Sequence, residues 1–437
     1  MTDPGMSVTP YWELTFDADG DADGRARDRL LGEVTEHGVR DLLVFAHGWN
    51  NDRSGARSLY HRFFAPVPGL APKARIGYAG VVWPSMRFSD EPIPDFPKSV
   101  AARAAEDAPH PALDKDTRQA LLETFPGRST VVEQLARMLD ERHTDAAELA
   151  EFGRLVRVLV EVDPDGPQPH FAADTAADGV PQDEPALFSQ DTAALCEEFA
   201  RALAGPRSAD FSLPNPWDGA RELLRQATYY AMKRRAGTVG ERGLGPLVGR
   251  LAKAAPGVRV HLVGHSFGGR LVSFALRGLP DGVRTVKSVT LLQGAFSHYA
   301  FAPRLPHDPR AGGVLHGRQR RIDGPLVCCH SHHDSSLGTF YPLASRMADD
   351  DRSASGVDLG HLPGTRWGAM GYDGMQAVPG TAALTLAEAL AGGLPASGCA
   401  NVDAAAVVRR GDPPTGAHSD ILHPELARVV LAAGRIA

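Results

Sequence analysis

With 437 residues, 43% of them hydrophobic and 23% charged, the chain can bury one large α/β core carrying an insertion, or two domains. A net charge of −7 does not suggest a nucleic-acid surface, and no apolar run reaches the length of a membrane span. The opening M-T-D-P-G-M-S-V-T-P lacks the basic and apolar regions of a secretion signal. Four cysteines, two of them adjacent (Cys328 and Cys329), do not read as a disulfide framework, so the expectation is a reduced, cytoplasmic protein.

Residues 11–16 alternate as an edge strand does. The acidic D-A-D-G-D-A-D-G of residues 17–24 has the flavour of a calcium loop but lacks the distal glutamate, and reads as a solvated turn. A helix is expected over 25–37, with Leu30, Leu31 and Val34 on one side. The apolar run 42–45 predicts a buried strand and ends in His47-Gly48-Trp49, a strand-to-loop turn. Residues 52–64 read as a helix, and 76–83 as a strand stopped by Pro84.

After residue 85 the composition changes. Prolines cluster (Pro92, Pro94, Pro97, Pro109, Pro111), and Val132, Leu135, Leu139, Leu149, Phe152, Leu155 and Leu159 recur at helical spacing over 131–160. The polar stretch 163–185, rich in proline, glycine and aspartate, reads as a mobile loop, and 187–203 as another helical segment. Nothing here alternates like a sheet strand. The division is therefore core over 1–85, a mainly helical cap insertion over 86–215, and core again over 216–437.

A helix over 218–233 carries Leu223, Leu224, Tyr229 and Tyr230. The glycines at 240, 243, 245 and 249 miss the G-x-G-x-x-G spacing, follow no strand and precede no P-loop lysine, so they make no dinucleotide site. Next comes V-R-V-H-L-V-G-H-S-F-G-G-R-L-V-S-F-A-L over 258–276. A β-branched strand leads into Gly264-His265-Ser266-Phe267-Gly268, and apolar residues at helical spacing follow. Strand, glycine-flanked serine and helix are the context of the G-x-S-x-G nucleophile elbow. The turn is too tight for flanking side chains and holds the serine Oγ out for attack; the plain alternative is a structural turn serine.

This strand-turn-helix resembles the nucleophile segment of the α/β-hydrolase superfamily. The resemblance implies a mostly parallel sheet with helices on both faces, and catalytic residues in the order serine, acid, histidine, with Ser266 first. It also bears on His47-Gly48-Trp49, since many members carry a similar His-Gly-X turn after an early central strand. There the backbone N–H of X faces the developing oxyanion, because preorganised donors stabilise charge that arises only in the transition state. By this resemblance the two donors are Trp49 and Phe267. The turn is similar to that of epoxide hydrolases too, but those carry an aspartate where this chain has Ser266, which argues against epoxide chemistry.

Beyond the elbow, 286–292 is a strand leading to a loop whose His298, Tyr299 and Phe301 either line a pocket or pack. The strand 326–329 ends in His330-Ser331-His332-His333-Asp334. By the resemblance Asp334 is the acid; the other readings are a metal site built from His330, His332, His333 and Asp334, or a polar turn. A helix is expected over 336–348, a solvated turn over 349–351, and a glycine-rich loop with Trp367 and Tyr372 over 361–375, shaped over the pocket or merely packed. The last strand is read over 400–408 and the last helix over 424–436, with Pro424 in its first turn. Between them the resemblance assigns His418 as the base, while His423, beside Pro424, reads as helix-start structure.

The expectation is an α/β-hydrolase fold and a serine hydrolase acting on a carboxylic ester or thioester of a small acyl substrate through an acyl-enzyme. Ser266 attacks, His418 takes its proton, Asp334 holds His418, and Trp49 and Phe267 form the oxyanion hole. No cofactor or metal is implied. An amidase or peptidase with the same triad, and a non-catalytic binding protein on the same fold, are the alternatives.

Overall fold

The computed structural model describes residues 5–49, 51–86, 88, 113–143, 145–163, 165–166, 168–171, 173–177, 188, 190–204, 215–340, 367–411 and 416–437. Ten strands occur among them. In chain order they are β1 (Tyr11–Thr15), β2 (Asp41–Ala46), β3 (Ile76–Val82), β4 (Thr175–Ala177) and β5 (Arg259–His265). Then follow β6 (Val286–Leu292), β7 (Ala311–Gly313), β8 (Pro325–His330), β9 (Ala382–Thr385) and β10 (Gly398–Asp403). Eight of them form one sheet in the order β1-β3-β2-β5-β6-β8-β10-β9, and every pairing in it is parallel.

Central strands of a parallel sheet are covered on both faces, which is why they read as unbroken apolar runs. β2 and β3 are buried at every residue. Their side chains alternate between two cores, as the two-residue period requires. Leu42, Val44 and Ala46 enter a core shared with Leu30 and Val34 of α1 (Gly24–Glu36), while Leu43 and Phe45 enter a second with Tyr60, Phe63 and Phe64 of α2 (Arg53–Phe64). Helices therefore lie on both faces, and the chain has the α/β architecture expected of it.

The described residues between β3 and β5 include the helices α3 (Lys115–Thr124), α4 (Ser129–Glu141), α5 (Ala146–Val160), α6 (Thr192–Ala204) and α7 (Pro216–Thr238). Asp114, Asp145 and Asn215 cap three of these by accepting from backbone N–H groups in the first turn. Phe152 of α5 meets Trp217 of α7 edge to face at 5.6 Å, inside the first core. The described residues of the stretch 163–185, read as a mobile loop, include regular structure. They have a 3₁₀ turn at Gln168–Phe171, and β4 pairs antiparallel with β7 in a separate two-stranded sheet. The polarity that suggested a loop includes Asp174, a fully buried ion-pair centre.

The glycines between 240 and 249 also have a structural use. Past α7 the chain continues through a π-helical turn, Val239–Leu244, into α8 (Gly245–Ala254). This turn lies backbone to backbone on α9 (Phe267–Gly278): a Cβ on Gly240 would collide with the Leu271 carbonyl, and one on Gly278 with that of Glu241. Edge strand β9 was not anticipated, the final strand ends at Asp403 rather than 408, and α10 (Pro424–Gly434) closes the described chain. The helix read over 336–348 starts as a π-helical turn at Ser336–Phe340. Its remainder, the turn at 349–351 and residues 361–366 lie outside the described residues. Among the described residues, no helix is long and apolar enough to cross a membrane.

Register decides where loops meet. Ala46 pairs with Gly264, His265 with Leu292, Leu292 with Cys329, and His330 with Asp403. The segments after β2, β5, β6, β8 and β10 thus leave one carboxyl edge side by side, the edge at which α/β sheets bind ligands.

Candidate active site

β5 ends at His265 and α9 begins at Phe267, so Ser266 alone makes the turn. Its backbone sits at φ 55° and ψ −124°, a conformation that costs a non-glycine residue roughly 1–3 kcal/mol and persists only where the surroundings impose it. They do so here. A Cβ on Gly268 would strike the Ala46 carbonyl, and one on Gly264 would strike that of Gly268, so both glycines let strand and helix close on each other. The Ser266 N–H donates to the Leu292 carbonyl at 3.1 Å, and its own carbonyl accepts from Gly269 N at 3.0 Å.

His418 reaches this serine from the far end of the chain. It lies in a 3₁₀ turn, Gly416–Ser419, beyond β10, with its Nε2 2.9 Å from Ser266 Oγ. Its Nδ1 is 2.8 Å from Asp334 Oδ2. Asp334 is fully buried; the same Oδ2 accepts from Gln293 Nε2 at 3.1 Å, and Oδ1 from the Leu337 N–H at 3.0 Å. A carboxylate so placed takes the Nδ1–H of the imidazole, which leaves Nε2 as an acceptor for the serine hydroxyl. Ser266, Asp334 and His418, far apart in sequence, therefore join in one hydrogen-bonded chain.

The neighbouring candidates go elsewhere. His423 is the N-cap residue of α10 and pairs with Asp420 Oδ1 at 2.9 Å. The metal reading needs the Asp334 carboxylate, and both its oxygens face His418, Gln293 and Leu337. His332 and His333 are exposed with their rings 4.0 Å apart, and among the described residues no three His, Cys, Asp or Glu gather as metal ligands.

Phe267 opens α9, so its N–H has no acceptor within the helix. The Gly48 turn passes so close to the serine that a Cβ on Gly48 would lie 2.5 Å from the Ser266 Cβ. His47 Nδ1–H donates to the Gly48 carbonyl at 2.8 Å. Because a trans peptide is planar, holding that carbonyl aims the Trp49 N–H the opposite way. His47 is wedged in place: its ring stacks on Trp83 at 5.6 Å, its N–H donates to Tyr60 Oη at 3.0 Å, and its carbonyl accepts from Trp83 Nε1 at 3.0 Å. Burial pushes its pKa down to about 4, so the ring is neutral and the Nδ1–H tautomer is set by this bond. The Trp49 ring packs against Tyr229 at 5.3 Å, and Tyr229 against Phe267 at 4.6 Å.

Compared with family models, curated proteins and solved structures, the chain matches none. Its chemistry has to come from the side chains themselves.

Two features of the site and one buried ion-pair centre were not legible as such in the sequence. Gln293, buried and at φ 46°, holds Asp334 and also donates to the Gly371 carbonyl at 3.0 Å. Its one available signal is position, directly after the strand beside the elbow strand. His265 donates from Nε2 to the His418 carbonyl at 2.9 Å. Asp174 binds Lys233 and Arg270, and the signal there was a lysine and an arginine within helices otherwise suited to burial. Of the three suggested pocket residues, Phe301 belongs to the main core and Tyr299 to a small apolar cluster. His298 is buried, with Nδ1 2.9 Å from Asp373 Oδ2.

Proposed function

We propose that the chain is a serine hydrolase of the α/β-hydrolase type, cleaving a carboxylic ester or thioester of a small acyl substrate through an acyl-enzyme. The observation that carries this is the chain Ser266 Oγ–His418 Nε2 at 2.9 Å and His418 Nδ1–Asp334 Oδ2 at 2.8 Å, on a strained serine between strand and helix. Attack by Ser266 Oγ on the carbonyl carbon passes the hydroxyl proton to His418 Nε2, and Asp334 stabilises the imidazolium. The carbonyl oxygen becomes an oxyanion, for which the N–H groups of Trp49 and Phe267 are the donors, the first aimed by His47. Collapse expels the alcohol or thiol, which takes the proton from His418. Water, deprotonated in turn by His418, then releases the acid and restores Ser266.

The segment 86–215 acts in this reading as the cap that selects the acyl group. The four cysteines are free and buried, which suits a reducing, cytoplasmic setting. An amidase would use the same groups, so the test is a series of acyl esters of graded chain length beside peptide amides. Turnover of short or medium esters, abolished by His418→Ala, is the expected result. Wild-type protein that turns over amides but no ester would move the assignment to the amidase class, and inertness toward both would leave a binding protein.

A further inference from the structure

His265 stands directly before Ser266 and takes no part in the proton transfers just described. Its Nε2 lies 2.9 Å from the backbone carbonyl of His418, which can only accept, so Nε2 carries the ring proton. Nδ1 is then a bare acceptor, buried and without a hydrogen-bond partner among the described residues. An apolar side chain would fill this space without stranding a nitrogen. What histidine adds is the donor to His418. On its other flank the base loop is tied to the acid loop, through the Ala417 N–H to the His333 carbonyl at 3.0 Å. The two ties bracket the His418 Cα, one leading to the strand end that carries the acid and one to the strand end that carries the serine.

We infer that His265 is a positioning residue, fixing the backbone of the general base against the strand that bears the nucleophile. The inference rests on the serine-hydrolase reading above. Its ring centroid is 5.1 Å from that of His418, where a second positive charge would oppose the imidazolium formed during attack. Burial first, and then the neighbouring His418, push the His265 pKa down to about 3, so it is a neutral donor throughout the working range.

The test compares the full chain with His265→Gln, His265→Leu and His265→Asn, by kcat and KM on a short p-nitrophenyl ester and by the rate of fluorophosphonate labelling. A glutamine amide reaches as far as Nε2, leucine fills the volume without a donor, and an asparagine amide stops short. Misplacing a catalytic group by about 1 Å costs on the order of 10²-fold, so Leu and Asn should lower kcat and labelling by roughly 10- to 100-fold with KM within about threefold. Gln should recover to within about threefold of wild type. Placed on His418→Ala, His265→Leu should lower the residual rate no further, because the residue acts through His418. Should the leucine variant fail to fold, the asparagine variant carries the same expectation. Wild-type rates in Leu or Asn, no recovery in Gln, or a further loss on His418→Ala would each overturn the inference while leaving the hydrolase reading intact. Wild-type protein that the probe does not label would overturn both.

Discussion

Asp174 lies between β3 and β5, and its carboxylate is tied to helices and a loop far from it in sequence. Lys233 Nζ of α7 lies 2.9 Å from Oδ2, Arg270 Nε of α9 lies 2.9 Å from Oδ1, and the Ser297 N–H donates to Oδ2 at 3.0 Å. Side-chain exposure is 0% for Asp174 and Arg270 and 1% for Lys233. The remaining Arg270 donors reach the carbonyls of Lys233 (2.6 Å), Phe171 (2.8 Å) and Ala173 (3.2 Å). Asp174→Asn strips two buried cations of the carboxylate between them. Breaking one buried ion pair costs about 3–5 kcal/mol, and with two cations on one carboxylate the loss should sit near the top of that range, at about 4–5 kcal/mol. That is a large part of a typical stability of about 5–15 kcal/mol. Equilibrium urea unfolding at neutral pH should read it as a lowered midpoint. Adding Lys233→Met should restore part of the loss, since one stranded charge is then gone. Burial alone would push the Asp174 pKa up, but Lys233 and Arg270 hold it below the ordinary 3.8, at about 2. Its stabilisation is therefore complete above about 3.8 and fades as pH falls toward about 2, so the gap between wild type and Asp174→Asn should stay constant from about pH 5 to 8. A loss under about 1 kcal/mol, the size of an exposed pair, or simple additivity in the double variant would refute this picture.

The proposed base gives a pH signature: kcat/KM should rise with an apparent pKa of about 6–7.5 and then level off. His47 and His265, pushed to about 4 and about 3, cannot produce that limb, so a flat profile from about pH 5 to 9 with chemistry rate-limiting would exclude His418 as base. For stability, the unfolded chain binds protons at these two histidines below the ordinary 6.5 whereas the folded chain does not, so stability should fall as pH drops from 6.5 toward about 4 and about 3. His265→Gln should flatten that decline in acid urea titrations, and an unchanged slope would contradict the burial argument. His418→Ala should lower kcat by roughly 10³-fold or more, while His423→Ala, whose ring is engaged with Asp420, should leave kcat within a few-fold; the reverse pattern would reassign the base. Gly278→Ala drives a methyl into the Glu241 carbonyl and should destabilise by about 1–3 kcal/mol in the same unfolding assay.

What could be read from sequence follows from burial and from local rules. β2, β3, β5, β6 and β8 were legible because strands covered on both faces are nearly continuous apolar runs. His423 was separable from His418 by a local feature, the proline that makes it a helix cap. β9 escaped notice because it is four residues long, with alternate positions half-buried at the sheet edge, and β4 because three residues give no periodicity. Asp174 looked like loop polarity because its partners Lys233 and Arg270 are remote in sequence, and nothing local marks a carboxylate that will be neutralised on folding. His265 and Gln293 were hidden for a related reason. Each reaches the Ser266–His418–Asp334 chain through a hydrogen bond across the carboxyl edge of the sheet, and only the strand register puts the partners together.

The central claim, an activated serine at position 266, is tested most directly by intact-mass analysis after reaction with a fluorophosphonate. Wild-type protein should gain one phosphonyl adduct, located on the peptide containing Ser266, and Ser266→Ala should gain none. Equal labelling of Ser266→Ala, or a wild-type protein that stays unmodified, would contradict the account.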